Sequence, residues 1–85
     1  MPGGNTMQNI FMTPNKWVSE SKLIELIGLR PGTIMRARRE SWLVGREYVH
    51  VAPDENPKPN SECMYNREEI DRWVERQVQK QPGAV

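Results

Sequence analysis

The chain has 85 residues, three tryptophans, one cysteine and a formal net charge of +1. This length allows one small domain, and a single cysteine excludes both an internal disulfide and a cysteine-rich zinc site. The apolar runs are too short to span a bilayer, and the first fifteen residues carry no signal-peptide pattern, so we expect a soluble intracellular protein.

Charge is distributed unevenly along the chain. Residues 16–46 contain seven basic and three acidic side chains, whereas residues 47–85 contain five basic and eight acidic ones. The first half could bind a polyanion and the second half could not, although an ordinary solvated surface would give the same counts.

Both ends of the chain are polar and rich in Gly, Pro, Asn and Gln. We expect disordered tails at residues 1–15 and 80–85, with one folded domain over residues 16–79. Large aromatic side chains dominate the core of so small a domain, so the tryptophans should be central to it: Trp17, Trp42 and Trp73.

The first elements predict a helix-turn-helix. After a short extended segment at 16–18, Ser19 is a suitable N-cap for a helix that ends at about Ile27. Gly28 can adopt the left-handed conformation that ends a helix, and Pro31 fits the first turn of the next one. The apolar stripe of the first helix is expected at Leu23, Ile24, Leu26 and Ile27.

The second helix, from Pro31 to Glu40 or Ser41, has few apolar residues and many arginines. Only Ile34, Ala37 and Ser41 form a plausible inward face. The outward residues are Thr33, Arg36, Arg39 and Glu40, with Met35 and Arg38 at the margins. This composition indicates a helix that contacts a partner.

The rest of the chain predicts a hairpin and a third helix. Residues 42–44 should return to the core, Gly45 should turn the chain, and residues 48–65 should form two strands joined by an exposed loop at 52–61. Asn66 and Glu69 form a capping box for a helix over residues 67–79.

Catalysis has little support in the sequence. His50, the only histidine, lies in a strand pattern without a nucleophile beside it, and Cys63 is best interpreted as a small strand residue. A Gly-rich phosphate loop, an HExxH motif and a paired-cysteine motif are all missing from the sequence. We therefore expect no enzyme activity, no metal and no cofactor.

The helix-turn-helix is the most informative pattern. Thr33, Arg36 and Arg39 would face the DNA major groove, with Arg30 at the start of the helix and Lys58 at the hairpin tip near the phosphates. An arginine fork pairs with guanine edges or bridges phosphates. The alternative is that these arginines form surface salt bridges with Glu25 and Glu40.

Several segments together resemble a known family. The runs at 17–18, 23–34, 36–39, 41–48 and 64–74, among them SWLVGREY and MYNREEIDRWV, are similar to the putative excisionase family of enterobacterial phages and prophages. The resemblance covers nearly all of the predicted domain. It implies an α+β fold, a small MerR-like winged helix-turn-helix with three helices and a two-stranded hairpin wing.

The resemblance also implies a function. Such proteins are recombination directionality factors that bind double-stranded DNA beside a phage attachment site, bend it, and help the phage tyrosine recombinase (integrase) to excise the prophage. Adjacent copies would bind side by side on the DNA, in the cytoplasm and nucleoid of the bacterial host. The DNA-binding residues would be Arg30, Thr33, Arg36, Arg38, Arg39 and Lys58. The acidic third helix would face a neighbouring copy or the recombinase.

Two other interpretations remain open. A MerR-like transcriptional repressor would use the same DNA contacts, but such regulators normally carry a long dimerisation helix after the DNA-binding unit. A protein-interaction adaptor would dock a partner on the helix-turn-helix surface, and the arginine cluster fits it less well.

Overall fold

The structure is a computed structural model that describes residues 15–83. Its elements are β1 (Trp17–Val18), α1 (Glu20–Ile27), α2 (Pro31–Glu40), β2 (Tyr48–Val51), β3 (Glu62–Asn66), α3 (Arg67–Arg76) and a 3-10 turn (Val78–Lys80). The predicted small α+β domain with three helices is confirmed. Residues 1–14 and 84–85 lie outside the described residues, and these comprise most of the predicted N-terminal tail and the last two residues of the predicted C-terminal tail.

The helix-turn-helix forms where the sequence predicts it. Ser19 caps α1, with its hydroxyl accepting a hydrogen bond from the backbone N–H of Lys22 at 3.2 Å. Gly28 ends α1 at a φ of +86°, a conformation that costs glycine little because it has no Cβ. Pro31 then lies in the first turn of α2, where its missing N–H costs no helical hydrogen bond.

The sheet has three strands where the sequence predicted two. Its order is β1-β3-β2 and both pairs are antiparallel, with Val18 opposite Tyr65 and Tyr48 opposite the same tyrosine on the other side. The extended segment before α1 is therefore a strand on the edge of the hairpin. Two residues are too few to show the alternation by which a strand is recognised in sequence.

The core lies between the two helices of the helix-turn-helix, the inner face of the sheet and α3. Its buried hydrophobic residues are Val18, Leu23, Ile34, Ala37, Trp42, Tyr48, Tyr65 and Ile70. Of the three tryptophans only Trp42 is fully enclosed, at 3% exposure. Trp73 is half-buried and packs against the core from outside, and Trp17 is half-buried outside this cluster, so the expectation that all three are central was wrong.

Four other residues that were predicted to face inward are exposed, one of them Ser41 after the end of α2. Leu26 on α1 is 40% exposed, and Leu43 and Val44 are 57% and 62% exposed. Of residues 42–44 only Trp42 is buried. The third helix is also shorter than predicted, because α3 ends at Arg76 and the chain continues as a 3-10 turn.

Glu47 is a fully buried carboxylate that the sequence did not predict. Its Oε1 accepts a hydrogen bond from the backbone N–H of Leu43 at 2.9 Å. Its Oε2 lies 2.7 Å from Nε of Arg46 and 3.7 Å from Nη2 of Arg76. The carboxylate thus joins the turn before β2 to the end of α3.

Candidate nucleic-acid interface

Helix α2 presents two different faces. Ile34 and Ala37 are buried against the core, which fixes the rotation of the helix about its axis. The opposite face carries Arg36 and Arg39, both exposed and three residues apart, so that they are neighbours on the helix surface. Thr33 is half-buried beside them. The predicted outward face is therefore the observed one.

The exposed arginines of this face have no partner among the described residues. No ion pair or side-chain hydrogen bond of residues 15–83 involves Arg30, Arg36 or Arg39. Glu25 pairs with Lys22 at 3.2 Å, and Glu40 forms no ion pair within the same range of the chain. The salt bridges of the alternative interpretation are therefore not formed, and the three arginine side chains remain available to a partner.

Arg38 lies on the same helix but in different surroundings. It is half-buried, its Nη1 lies 3.4 Å from the hydroxyl of Tyr65, and its guanidinium carbon is 5.1 Å from the ring centroid of Tyr48. Burial opposes its charge, but the neighbouring Tyr65 and Cys63 outweigh this effect and raise the pKa of Arg38. Arg38 is thus a charged, half-buried side chain held against Tyr48 and Tyr65.

The loop of the hairpin, residues 52–61, is exposed as predicted and is shaped by local hydrogen bonds. Asn56 donates its backbone N–H to a carboxylate oxygen of Asp54 at 3.0 Å. Lys58 donates its backbone N–H to the hydroxyl of Ser61 at 2.8 Å, and the backbone N–H of Ser61 donates to the carbonyl oxygen of Lys58 at 2.9 Å. These bonds hold the backbone of Lys58, while its side chain has no partner within residues 15–83.

The only histidine and the only cysteine lie together behind this loop. Nδ1 of His50 lies 3.3 Å from the carbonyl oxygen of Ser61 and 3.5 Å from Sγ of Cys63. These contacts connect the two strands of the hairpin. Within the described part of the chain, no cluster of His, Cys, Asp or Glu could hold a metal ion.

A polar cleft separates the start of α1 from the hairpin loop. It has a volume of about 480 Å³, and its lining includes Ser19, Ser21, Arg38, Asn60 and Ser61. The cleft therefore brings one predicted site residue, Arg38, next to the loop that carries another, Lys58. Of the helices that the structure describes, none is long and apolar enough to cross a membrane.

Sequence reasoning missed the partners of Arg38. Tyr65 is fully buried, and its hydroxyl donates a hydrogen bond to a carboxylate oxygen of Glu20 at 3.2 Å. Burial raises the pKa of Tyr65 to about 12, so the phenol stays protonated and keeps this donor. Only the register Tyr48↔Tyr65, which no local pattern reveals, places both rings beside Arg38.

Comparison with known proteins adds one match. A family model described as putative excisionase matches residues 9–78, which is most of the chain and includes every helix and strand described above. No curated protein matches the chain.

Proposed function

Since the chain belongs to the putative excisionase family, we propose that it is a sequence-specific DNA-binding protein that bends DNA and promotes excision of a prophage by its integrase. The observation that supports this most directly is the unpaired arginine face of α2, with Arg36 and Arg39 exposed and free of acidic partners within the described residues. Unneutralised cations on an exposed helix face favour a polyanionic partner. In this proposal the protein has no chemistry of its own.

The major groove of B-DNA accommodates one α-helix, and α2 is the helix whose outer face is free to enter it. Thr33, Arg36 and Arg39 would contact base edges there, with Arg30 and Arg38 in support. Lys58, held at the loop of the wing, would contact the phosphate backbone. A bidentate arginine discriminates guanine from other bases by about 1–3 kcal/mol.

DNA bending requires more than one copy in this proposal. Bending a site of about 20–30 base pairs costs on the order of 1–6 kcal/mol. One small domain with a single recognition helix and a short wing has few phosphate contacts to offset that cost. We therefore propose that several copies bind next to one another beside the attachment site, in the cytoplasm of the bacterial host, where they assist the tyrosine recombinase.

The test has two stages. Binding of the pure protein to the attachment region is measured by fluorescence anisotropy over a range of salt concentrations, and log Kd should rise linearly with log salt. Excision is then followed in vitro with the cognate integrase and a substrate carrying both prophage ends, with and without this protein. Equal excision in both reactions, or unbent DNA at saturation, contradicts the excisionase role.

The same experiments separate the two other functions. A small repressor would bind DNA with the same salt dependence and leave excision unchanged. A protein-interaction adaptor would show no salt-dependent DNA binding. The unpaired arginine face of α2 does not support the adaptor function.

A further inference from the structure

We propose that Arg38 is a positioning residue that sets the angle between α2 and the wing, so that Arg36, Arg39 and Lys58 reach the same DNA together. This inference rests on the proposed DNA binding and adds a role for a residue that the resemblance assigns only as a supporting DNA contact. It concerns a group of four side chains, the hub: Glu20, Arg38, Tyr48 and Tyr65.

The hub joins every element that carries a proposed DNA contact. Arg38 belongs to α2, and it contacts Tyr48 of β2 and Tyr65 of β3, which are the two strands of the wing. Through its hydroxyl, Tyr65 continues the connection to Glu20 at the start of α1. Arg38 therefore bridges the recognition helix and both wing strands, and Tyr65 extends this connection to the supporting helix.

The geometry of the hub suits an arginine better than a lysine. A planar guanidinium can lie over an aromatic ring and donate a hydrogen bond at its edge at the same time, whereas an ammonium is a compact point charge. Arg38 does both, at 5.1 Å from the Tyr48 ring centroid and 3.4 Å from the Tyr65 hydroxyl. The two rings are themselves stacked, with centroids 6.3 Å apart and an interplanar angle of 29°. This fixes the orientation of each ring relative to the other.

A small tilt at the hub is amplified at the loop. The wing extends from Tyr48 to Val51 before the loop begins, which is about 10 Å at the rise of a β-strand. A rotation of about 10° at the hub would move the loop by roughly 2 Å, which is enough to break a hydrogen bond to a phosphate. We therefore expect a variant that disrupts the hub to lose the contact between Lys58 and the DNA phosphate.

The experiment is a double-mutant cycle on DNA affinity with the full chain. Lys58→Ala is measured in the wild type, in Arg38→Lys and in the matched control Arg36→Lys, which also replaces an arginine of α2 but one that is exposed. Removal of one phosphate contact should weaken binding about fivefold at physiological salt. We expect this factor in the wild type and in Arg36→Lys, and almost no further loss in Arg38→Lys.

The salt dependence provides a second readout that a purely structural role would not change. Arg38→Lys preserves the positive charge. If residue 38 only contacted a phosphate directly, this substitution would therefore leave the slope of log Kd against log salt unchanged. Loss of the wing contact lowers that slope by about 1. Tyr65→Phe, which preserves the ring and removes both hydroxyl contacts, should reduce the slope in the same direction. Additive effects of Arg38→Lys and Lys58→Ala, with an unchanged slope, overturn the proposal.

A third measurement is made without DNA. Residual dipolar couplings report the orientation of α2 relative to the wing in the wild type and in Arg38→Lys, both under conditions where thermal unfolding shows a folded protein. A changed orientation supports the positioning role, and identical couplings overturn it. If the wild type bound no DNA at all, the proposed function would fail, and these couplings would still decide whether Arg38 orients the wing.

Discussion

Two regions of this small domain use arginine in opposite ways. At the corner formed by the turn before β2 and the end of α3, Arg46 and Arg76 both approach the buried carboxylate of Glu47. On the outer face of α2, Arg36 and Arg39 are exposed and have no acidic partner in the described part of the chain. The two regions show that the presence of an acidic partner, and not the residue type, distinguishes an arginine that stabilises the fold from one that is available for binding.

The comparison predicts that changes at the corner alter stability and that changes on the outer face of α2 alter DNA affinity. Loss of a buried charge or of its partners disturbs folding, and the effect of each partner is smaller where that partner is exposed to solvent. Unpaired surface charges contribute little to folding. The predictions below test this separation.

The largest effect is expected for Trp42→Ala. Trp42 is 3% exposed and lies edge-on to Trp73 and Tyr65, with ring centroids 5.3 Å and 6.1 Å away. Its removal should lower the free energy of unfolding by about 3–5 kcal/mol, much of the stability of a small domain. Denaturant titration followed by circular dichroism measures this loss.

Two controls sharpen this prediction. Trp42→Phe should cost less than Trp42→Ala, since it preserves an aromatic ring and removes an indole N–H that is buried without a hydrogen-bond partner within residues 15–83. Trp73→Ala should also cost less than Trp42→Ala, because Trp73 is only half-buried. If Trp73→Ala proved the more damaging of the two alanine variants, the core would not be centred where the structure places it.

The second prediction concerns Glu47→Ala. The change leaves the backbone N–H of Leu43 without its acceptor and removes the shared partner of Arg46 and Arg76. We expect a loss of about 1–3 kcal/mol in the free energy of unfolding. DNA affinity of the folded fraction should not change. Glu75→Ala, an exposed carboxylate of α3, is the matched control and should be within about 0.5 kcal/mol of wild type.

The third prediction concerns substitutions that should change DNA affinity and leave stability almost unchanged, the opposite of the second. Arg36→Ala or Arg39→Ala should weaken binding to the specific DNA site by about 1–3 kcal/mol and relax the preference at one base position. The free energy of unfolding should change by less than about 0.5 kcal/mol. Arg72→Ala is the control, an exposed arginine paired with Glu69 at 2.7 Å on α3. Wild-type affinity in both α2 variants would show that α2 is not the recognition helix.

The sequence predicted the outer face of α2, where the arginines have no acidic partner, better than the corner around Glu47. The outer face of α2 follows from helical periodicity once Ile34 and Ala37 are assigned to the core, and Gly28 and Pro31 mark the turn by their backbone preferences. These signals act over a few residues. They are sufficient to place Arg36 and Arg39 on the surface.

The corner also includes a contact that no short window of the sequence contains. Arg76, almost thirty residues later in the chain, reaches the same carboxylate of Glu47 as Arg46 does, and a glutamate in a sequence is ordinarily an exposed residue. Leu43 and Val44 are a second case, since both are apolar and exposed although Trp42 directly before them is buried. Tertiary packing decided both cases, and local patterns could not.

The smallest predicted effect separates the two arginines of the corner. Nε of Arg46 lies 2.7 Å from Oε2 of Glu47, and a second nitrogen donates to the carbonyl oxygen of Ser41 at 3.3 Å, whereas Nη2 of Arg76 approaches the same Oε2 only to 3.7 Å. Both arginine side chains are about half exposed, so solvent screens both pairs. Arg46→Ala should therefore cost at most about 1 kcal/mol, and Arg76→Ala less than about 0.5 kcal/mol. Urea titrations at low and high salt measure both losses, and the smaller one should vanish at high salt, where screening is strongest. A loss for Arg76→Ala equal to that of Arg46→Ala at both salt concentrations would show that proximity to Glu47 is not what ranks the two arginines.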